Sequence, residues 1–314
     1  MVRGVNKHLN YIRKNWLLLG MLIPGLVILI INNYIPMFGV IIAFKKFTIT
    51  GKGFIDSLIQ SPWIGFKNFE FFTKTSYAFI ITRNTLLYNL SFIILDLLLA
   101  VPLAIAMNQI RQKKLAKFTQ TVLFLPYFMS WVVVNYLVYS LLNTETGFVN
   151  LFILKPLGVD PINWYSTQKY WPFIIPIAHV WKNLGYGTVI YLAAVTSING
   201  EYYEAAMLDG ANKFKQAIYI TIPELVPLMV ILTLLSIGRI FNADFGLFFQ
   251  VPRNSGILYP VTSVIDTYVY NALRVTGDTG MAAATGLYQA TVGFVLVMIT
   301  NWIVRRVNPD NALF

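Results

Sequence analysis

Apolar positions along the chain gather into long blocks, without the one-sided stripe of a surface helix. The blocks centre on residues 16–43, 84–107, 119–142, 171–195, 224–243 and 283–304, with polar, turn-rich connections between them. Each supplies the roughly 20 helical residues needed to cross the hydrocarbon layer. Strands of an outer-membrane barrel would alternate with period two over about ten residues, and these runs do not. The pattern predicts an all-α, polytopic membrane protein with six transmembrane helices. Pro24 and the Asn32-Asn33 pair mark irregularities in the first span, and Arg239 lies close to the end of the fifth. Between the first two spans, SPWIGFKNFEFF reads as an aromatic amphipathic element at the outer interface. PVTSVIDTYVYNAL, before the sixth, reads as a short helix at the outer mouth or dipping into the bundle.

Composition narrows the class further. The chain is 57% hydrophobic and 12% charged, against about 25% charged in soluble domains. The net charge of +11 would fit nucleic acid, but Lys and Arg sit between the apolar runs and at the chain ends. That placement suits anionic lipid headgroups and the positive-inside bias, so membrane lipid is the expected partner and nucleic acid is not. Cysteine is absent and only His8 and His179 are present, which argues against thiolate chemistry and against zinc or haem. The first apolar run follows Arg13 and Lys14 as a signal peptide would. It then continues without a small-residue cleavage pattern, which predicts a retained span. Arg3, Lys7, Arg13 and Lys14, then Arg111, Lys113, Lys114 and Lys117, then Arg305 and Arg306 all fall on one side of a six-span chain. That side is expected to be cytoplasmic, with both termini on it. The lysine-bearing 45–83 stretch, on the other side, runs against this bias.

Polar residues inside the spans are expensive in lipid and should face another helix, a cavity or the interface. They include Asn84, Asn89, Asp96, Asn135, Lys182, Asn183, Arg239, Gln289 and Asn301. The plain expectation for an amide here is a hydrogen bond between helices. Lys182 lies in HVWKNLGYGTV, where Gly185 and Gly187 point to a local helix break lining a path; a structural anchor is the other reading. Trp131, Asn135, Tyr136, Trp181, Lys182, Asn183 and Tyr288 are candidates for a translocation pathway, the aromatics by stacking on sugar rings.

After the fourth span the chain reads SINGEYYEAAMLDGANKFKQAIYITIPE. Residues 201–208 favour helix, Asp209-Gly210 supplies a stop, an amphipathic segment runs from Lys213 to Ile222, and Pro223 can open a new helix. Such a helix–turn–helix is a suitable docking element for a soluble partner.

This segment resembles a known family. EAAMLDGANKFKQAIYITIP, residues 204–223, is similar to the EAA signature of binding-protein-dependent ABC importer permeases, with Glu204, Ala205, Ala206, Asp209, Gly210, Ala211 and Ile222-Pro223 in place. RNTLLYNL, LPYFMSWVVVNYLVYSLLNTETGFVN, VIDTYVYNALR and ATGLYQATVGFVLVMITNWIVRR resemble the sugar branch, most of all the polysaccharide and lipo-oligosaccharide permeases of Gram-positive bacteria. The resemblance implies a type I importer permease fold in the plasma membrane of a bacterium. It divides the chain into a cytoplasmic segment 1–15, a first span with an external amphipathic segment 16–78, a permease core 79–306 and a cytoplasmic tail 307–314. It implies an oligosaccharide or polysaccharide fragment as cargo, an extracellular solute-binding protein, a second, related permease and two ATPase subunits. Residues 201–210 would form the coupling helix. Glu204 would be its main polar contact, Ala205 and Ala206 its small docking face, Asp209 a loop stabiliser and Gly210 the turn. No GxxxxGK[ST] signature is present, so ATP and magnesium are expected in the ATPase and no cofactor in this chain. The alternatives are a gradient-driven secondary transporter, a membrane-embedded enzyme and a passive anchor.

Overall fold

A computed structural model describes residues 14–307 and Pro309. Nearly all of the predicted 1–15 segment and 307–314 tail fall outside the described residues. Helices are the extended elements throughout, and one isolated bridge pairs Lys45 with Trp63.

One compact unit holds the chain through Phe71 together with Gly277–Leu287. Helix α1 (Trp16–Leu29) passes through Pro24, widens into a π-helical turn over Ile30–Tyr34 and tightens into a 3-10 turn over Phe38–Phe44. Trp16–Phe44 is long and apolar enough to cross a membrane. The wide turn holds both asparagines, and Asn32 Nδ2 donates to Ile28 O at 3.0 Å. After α2 (Phe54–Gln60) the aromatic element folds back on the end of the span. Trp63 stacks on Phe44 with centroids 5.6 Å apart, Phe66 meets Phe44 edge-on at 5.4 Å, and Asn68 Nδ2 donates to Ala43 O at 2.9 Å. Gly65, at φ 62°, lets the chain turn there.

The second unit holds Phe72–Thr276 and the chain from Tyr288 onward. Helix α3 (Ser76–Asn108) is capped by Thr75, whose side chain accepts from the Ala78 N–H. The third expected span is broken. Helix α4 (Lys113–Phe124) and α5 (Trp131–Leu142) are joined by a tight turn over Leu125–Phe128 and bent by 99°. Pro126 removes a backbone donor and weakens the helix there, and the chain leaves helical geometry at Met129. Ser130 then starts α5 afresh by accepting from the Val133 N–H.

Helix α6 (Trp171–Ser197) corrects a second expectation, because it runs unbroken through Gly185 and Gly187. Gly185 is there for packing: a Cβ on it would fall on the Leu123 carbonyl of α4, whereas one on Gly187 would meet Ala100 Cβ at an ordinary 3.4 Å. Gly185→Ala should cost roughly 1–3 kcal/mol as an overpacked contact and lower the melting temperature in detergent by several degrees. Gly187→Ala should change it little. Equal tolerance of the two would overturn this account.

After α7 (Gly200–Leu208), the run Lys213–Gly238 is long and apolar enough to span. Pro223 stands in the first turn of an α-helix, but that helix continues the run and starts no separate one. A π-helical turn over Ala217–Thr221 precedes α8 (Ile222–Gly238) without a break. Wide turns end two residues before Pro36, Pro156 and Pro223, where the extra residue makes room for a ring that cannot donate. The fifth span therefore ends at Gly238, not at 243, and Arg239 lies just past it. Short helices α9 (Phe245–Gln250) and α10 (Ile265–Asn271) follow, and α11 (Thr279–Val307) closes the chain.

Four helices pass as spans on length and apolarity, and the bent pair makes five. Helix α6 is the sixth. At 27 residues it extends roughly 40 Å, and its lower apolarity comes from His179, Lys182, Asn183 and Thr188. Two apolar cores lie along α3. One gathers Tyr88, Phe92, Val134, Trp171, Ile175 and Leu247; the other gathers Ala100, Val101, Ala104, Tyr191, Val195 and Leu225. Tyr88 and Ala100 are roughly 18 Å apart along the helix.

Candidate functional site

Between the two cores, α3, α6 and α8 part around a cavity of ≈ 530 Å³. Asp96 enters it from α3; His179, Asn183 and Tyr186 from α6; Thr233 and Ser236 from α8; Tyr127, Arg239 and Asp244 from the connecting segments. His179 stacks flat on Phe92 at 3.8 Å, and its Nε2 lies 3.2 Å from Asp96 Oδ2. Asn183 Nδ2 donates to His179 O at 3.0 Å. Asp96 Oδ1 is buried without a hydrogen-bond partner among the described residues. The Arg239 guanidinium makes no ion pair among the described residues. An acid, an imidazole, an amide, hydroxyls and tyrosine rings thus share one wall, which suits a ligand with many hydroxyls and weakly apolar faces.

At the edge of this cavity the elbow between α4 and α5 is pinned from two sides. Lys182 Nζ donates to Tyr127 O at 2.8 Å and lies 5.2 Å from the centroids of both the Tyr127 and Trp131 rings. Trp131 Nε1 donates to Asp244 Oδ2 at 2.6 Å, and Asp244 also caps α9. Lys182 sits as an anchor in this geometry. Asn183 lines the cavity, and Trp131 and Lys182 touch residues that line it. Trp181 and Tyr136 are exposed on other faces. Tyr288 stacks on Phe72 at 4.4 Å, away from the cavity. Asn135 is buried in α5, its Oδ1 unpartnered among the described residues.

The remaining span amides bridge segments. Asn84 Nδ2 donates to Ser263 O at 3.0 Å, Asn89 Nδ2 to Ile240 O at 2.9 Å and Gln289 Nε2 to Phe241 O at 2.8 Å. The PVTSVIDTYVYNAL stretch is a pair of short helices tied into the bundle. Ile265 N–H donates to Thr85 Oγ1 at 3.0 Å, and Asp266 Oδ2 accepts from the Ala243 N–H at 2.7 Å. Burial pushes the Asp266 carboxyl above its ordinary range, against the hydrogen bonds from Ala243 and Gln289.

At the other end of α6, Asn199 caps α7 by accepting from the Glu201 N–H. No residue of α7 is buried. Glu204, Ala205, Asp209 and Gly210 are exposed, Ala206 is half-buried and Leu208 is 90% exposed. Ala211 N–H donates to Ala206 O at 2.8 Å and Gly210 N–H to Met207 O at 3.1 Å. With Gly210 at φ 76°, these bonds form a Schellman stop. Asp209 joins the turn through its backbone N–H, which donates to Ala205 O at 3.1 Å. Tyr203 points the other way, its hydroxyl 2.9 Å from that of Thr221, and so ties α7 to the run that becomes α8.

Sequence reasoning placed Asp96 and Arg239 among the costly polar groups but not on a pathway, and it missed His179, Asp244, Tyr127 and Tyr186. The helical stripe 179, 183, 186/187, 190 was available as a signal; its partners on other helices were not.

Comparison with known proteins agrees with this geometry. Residues 75–309 match the family described as binding-protein-dependent transport system inner membrane component. The chain is 32% identical over 302 residues to Protein LplB of Bacillus subtilis (strain 168), covering 95% of this chain and 91% of that protein. It is also 32% identical over 294 residues to the polygalacturonan/rhamnogalacturonan transport system permease protein YteP of the same organism, covering 92% and 88%. A chain of a bacterial alginate ABC transporter, solved in complex with alginate pentasaccharide-bound periplasmic protein, superposes with a TM-score of 0.84 at 29% identity, covering 95% of this chain and 97% of that one. The chain belongs to the family of inner membrane components of binding-protein-dependent transport systems, and is the non-catalytic permease subunit of an ABC importer.

Proposed function

We propose that the cargo is a carbohydrate, an oligosaccharide or polysaccharide fragment handed over by an extracellular solute-binding protein. The observation that carries this reading is the ≈ 530 Å³ cavity between the two cores, with its mixed hydrogen-bonding and tyrosine wall. The polygalacturonan/rhamnogalacturonan permease and the alginate transporter among its relatives support it. The exposed α7, with Glu204, Ala205, Ala206, Asp209 and Gly210, is the coupling helix for an ATPase subunit, which holds the ATP and magnesium. The working assembly has this chain, a related second permease, two ATPase subunits and the binding protein. Residues 79–306 form the permease core and both termini are cytoplasmic, a reading that the basic segments support. ATPase closure moves α7, and through Tyr203 and the Lys213–Gly238 run it moves the cavity wall. This is alternating access between two states.

The test is ATP-dependent uptake into vesicles by the whole importer, with its binding protein, across neutral and acidic oligosaccharides, amino acids and peptides. Saturable uptake of an oligosaccharide supports the reading; transport confined to a non-carbohydrate overturns it. Asp96→Asn should raise the half-saturating concentration for the transported sugar about fivefold, or about 1 kcal/mol, because the amide keeps a hydrogen bond and loses its charge assistance. An unchanged value would remove Asp96 from the pathway.

A further inference from the structure

A second cavity, ≈ 490 Å³, lies where the end of α3, α7 and the start of the Lys213–Gly238 run meet. Its polar lining is Asn108, Gln109, Arg111, Lys213 and Gln216 with the hydroxyl residues Tyr203 and Thr221, and neither Asp nor Glu contributes to it. Gln216 is buried; its Nε2 donates to Ala211 O at 3.1 Å, and its Oε1 accepts from Lys213 Nζ at 3.0 Å. Lys213 therefore keeps two donors free of that bond. No ion pair joins the Arg111 guanidinium to an acid among the described residues. Two exposed cations line one cavity beside amide and hydroxyl groups, with no counter-charge in the lining, and an anion that enters relieves their repulsion.

We propose that this cavity is a binding site for a phosphate group, with Arg111 gripping two of its oxygens and Lys213 a third. The group is either the headgroup of an anionic phospholipid or free phosphate. Helix α4 favours the lipid. It begins two residues past Arg111, carries Lys113, Lys114 and Lys117, and exposes Leu115, Phe118 and Val122, the composition of a helix lying at headgroup level. An occupant would touch both α7, through Tyr203, and the foot of the fifth span, and so would stiffen the link between them.

The experiment uses the whole importer in nanodiscs of phosphatidylcholine containing a minor share of phosphatidylglycerol. Native mass spectrometry after detergent release counts the phosphatidylglycerol retained. The variant Arg111→Gln/Lys213→Gln should retain it about tenfold less. The control Lys114→Gln/Lys117→Gln loses the same charge outside the cavity and should retain it as wild type does. Arg111→Lys/Lys213→Arg, which keeps both charges, should hold the lipid and guards against a folding defect in the first variant. If retention is equal in all forms, delipidated importer is titrated with inorganic phosphate. Binding that the first variant alone loses assigns the site to free phosphate. Equal lipid loss in the first variant and the control, or retention and phosphate binding unaltered in every variant, overturns the site.

Discussion

A Gly210→Trp chain should reach the membrane in normal amounts and fail to support ATP-driven uptake. Gly210 sits at φ 76°, a conformation that costs other residues roughly 1–2 kcal/mol. It closes the Schellman stop that sets α7 at its angle to the spans. A Cβ on Gly210 would meet nothing within 4 Å in this chain, so the fold itself has room for a side chain. That open space is where the ATPase is proposed to seat. Tryptophan therefore both strains the turn and fills the docking face, and uptake should fall at least tenfold, the equivalent of about 1.4 kcal/mol. Gly210→Asn, which tolerates this backbone, should keep most of the activity. Normal uptake by membrane-inserted Gly210→Trp would remove the coupling role from this turn.

The second large effect is expected at the elbow between α4 and α5. Lys182→Met leaves the Tyr127 carbonyl unpaired beside the cavity and removes a cation from two aromatic rings, together roughly 1–3 kcal/mol. Trp131→Phe and Asp244→Ala each delete the same 2.6 Å bond. If that bond holds the elbow, each should lower uptake about tenfold or more, and the double variant should be no worse than Asp244→Ala, which also loses the α9 cap. An anchoring Lys182 predicts that Lys182→Met slows every cargo alike and lowers the melting temperature. A Lys182 that touches cargo predicts a change of preference among sugars with the melting temperature unmoved. Additive losses for Trp131→Phe and Asp244→Ala would show that the two residues act apart.

Much of this architecture is written in local pattern. Runs of 20 or more apolar residues read as spans from hydropathy alone, and the EAAMLDGANKFK segment announces a helix, a glycine stop and a second helix in order. Capping at Asn199 and the turn at Gly210 follow from residue type. What the pattern hides is relational. Gly185 and Gly187 look alike in sequence, yet only Gly185 faces a carbonyl of α4. Asp96 and His179 lie 83 residues apart, and no periodicity announces that they meet. Pro126 was a visible warning of the 99° bend, but Pro24 and Pro227 lie inside helices that continue through them. The neighbours decide which proline breaks a helix.

The contrast between the polar wall of the cavity and the packed cores that flank it has a consequence for how such permeases diversify. Asp96, His179, Asn183, Ser236 and Arg239 line the cavity, and none of them belongs to either core. Substitutions at Asp96, Asn183, Ser236 and Arg239 replace no member of the two clusters, whereas His179 stacks on Phe92 and is tied to the first. A lineage can therefore change what it carries, one wall residue at a time, without passing through a misfolded ancestor.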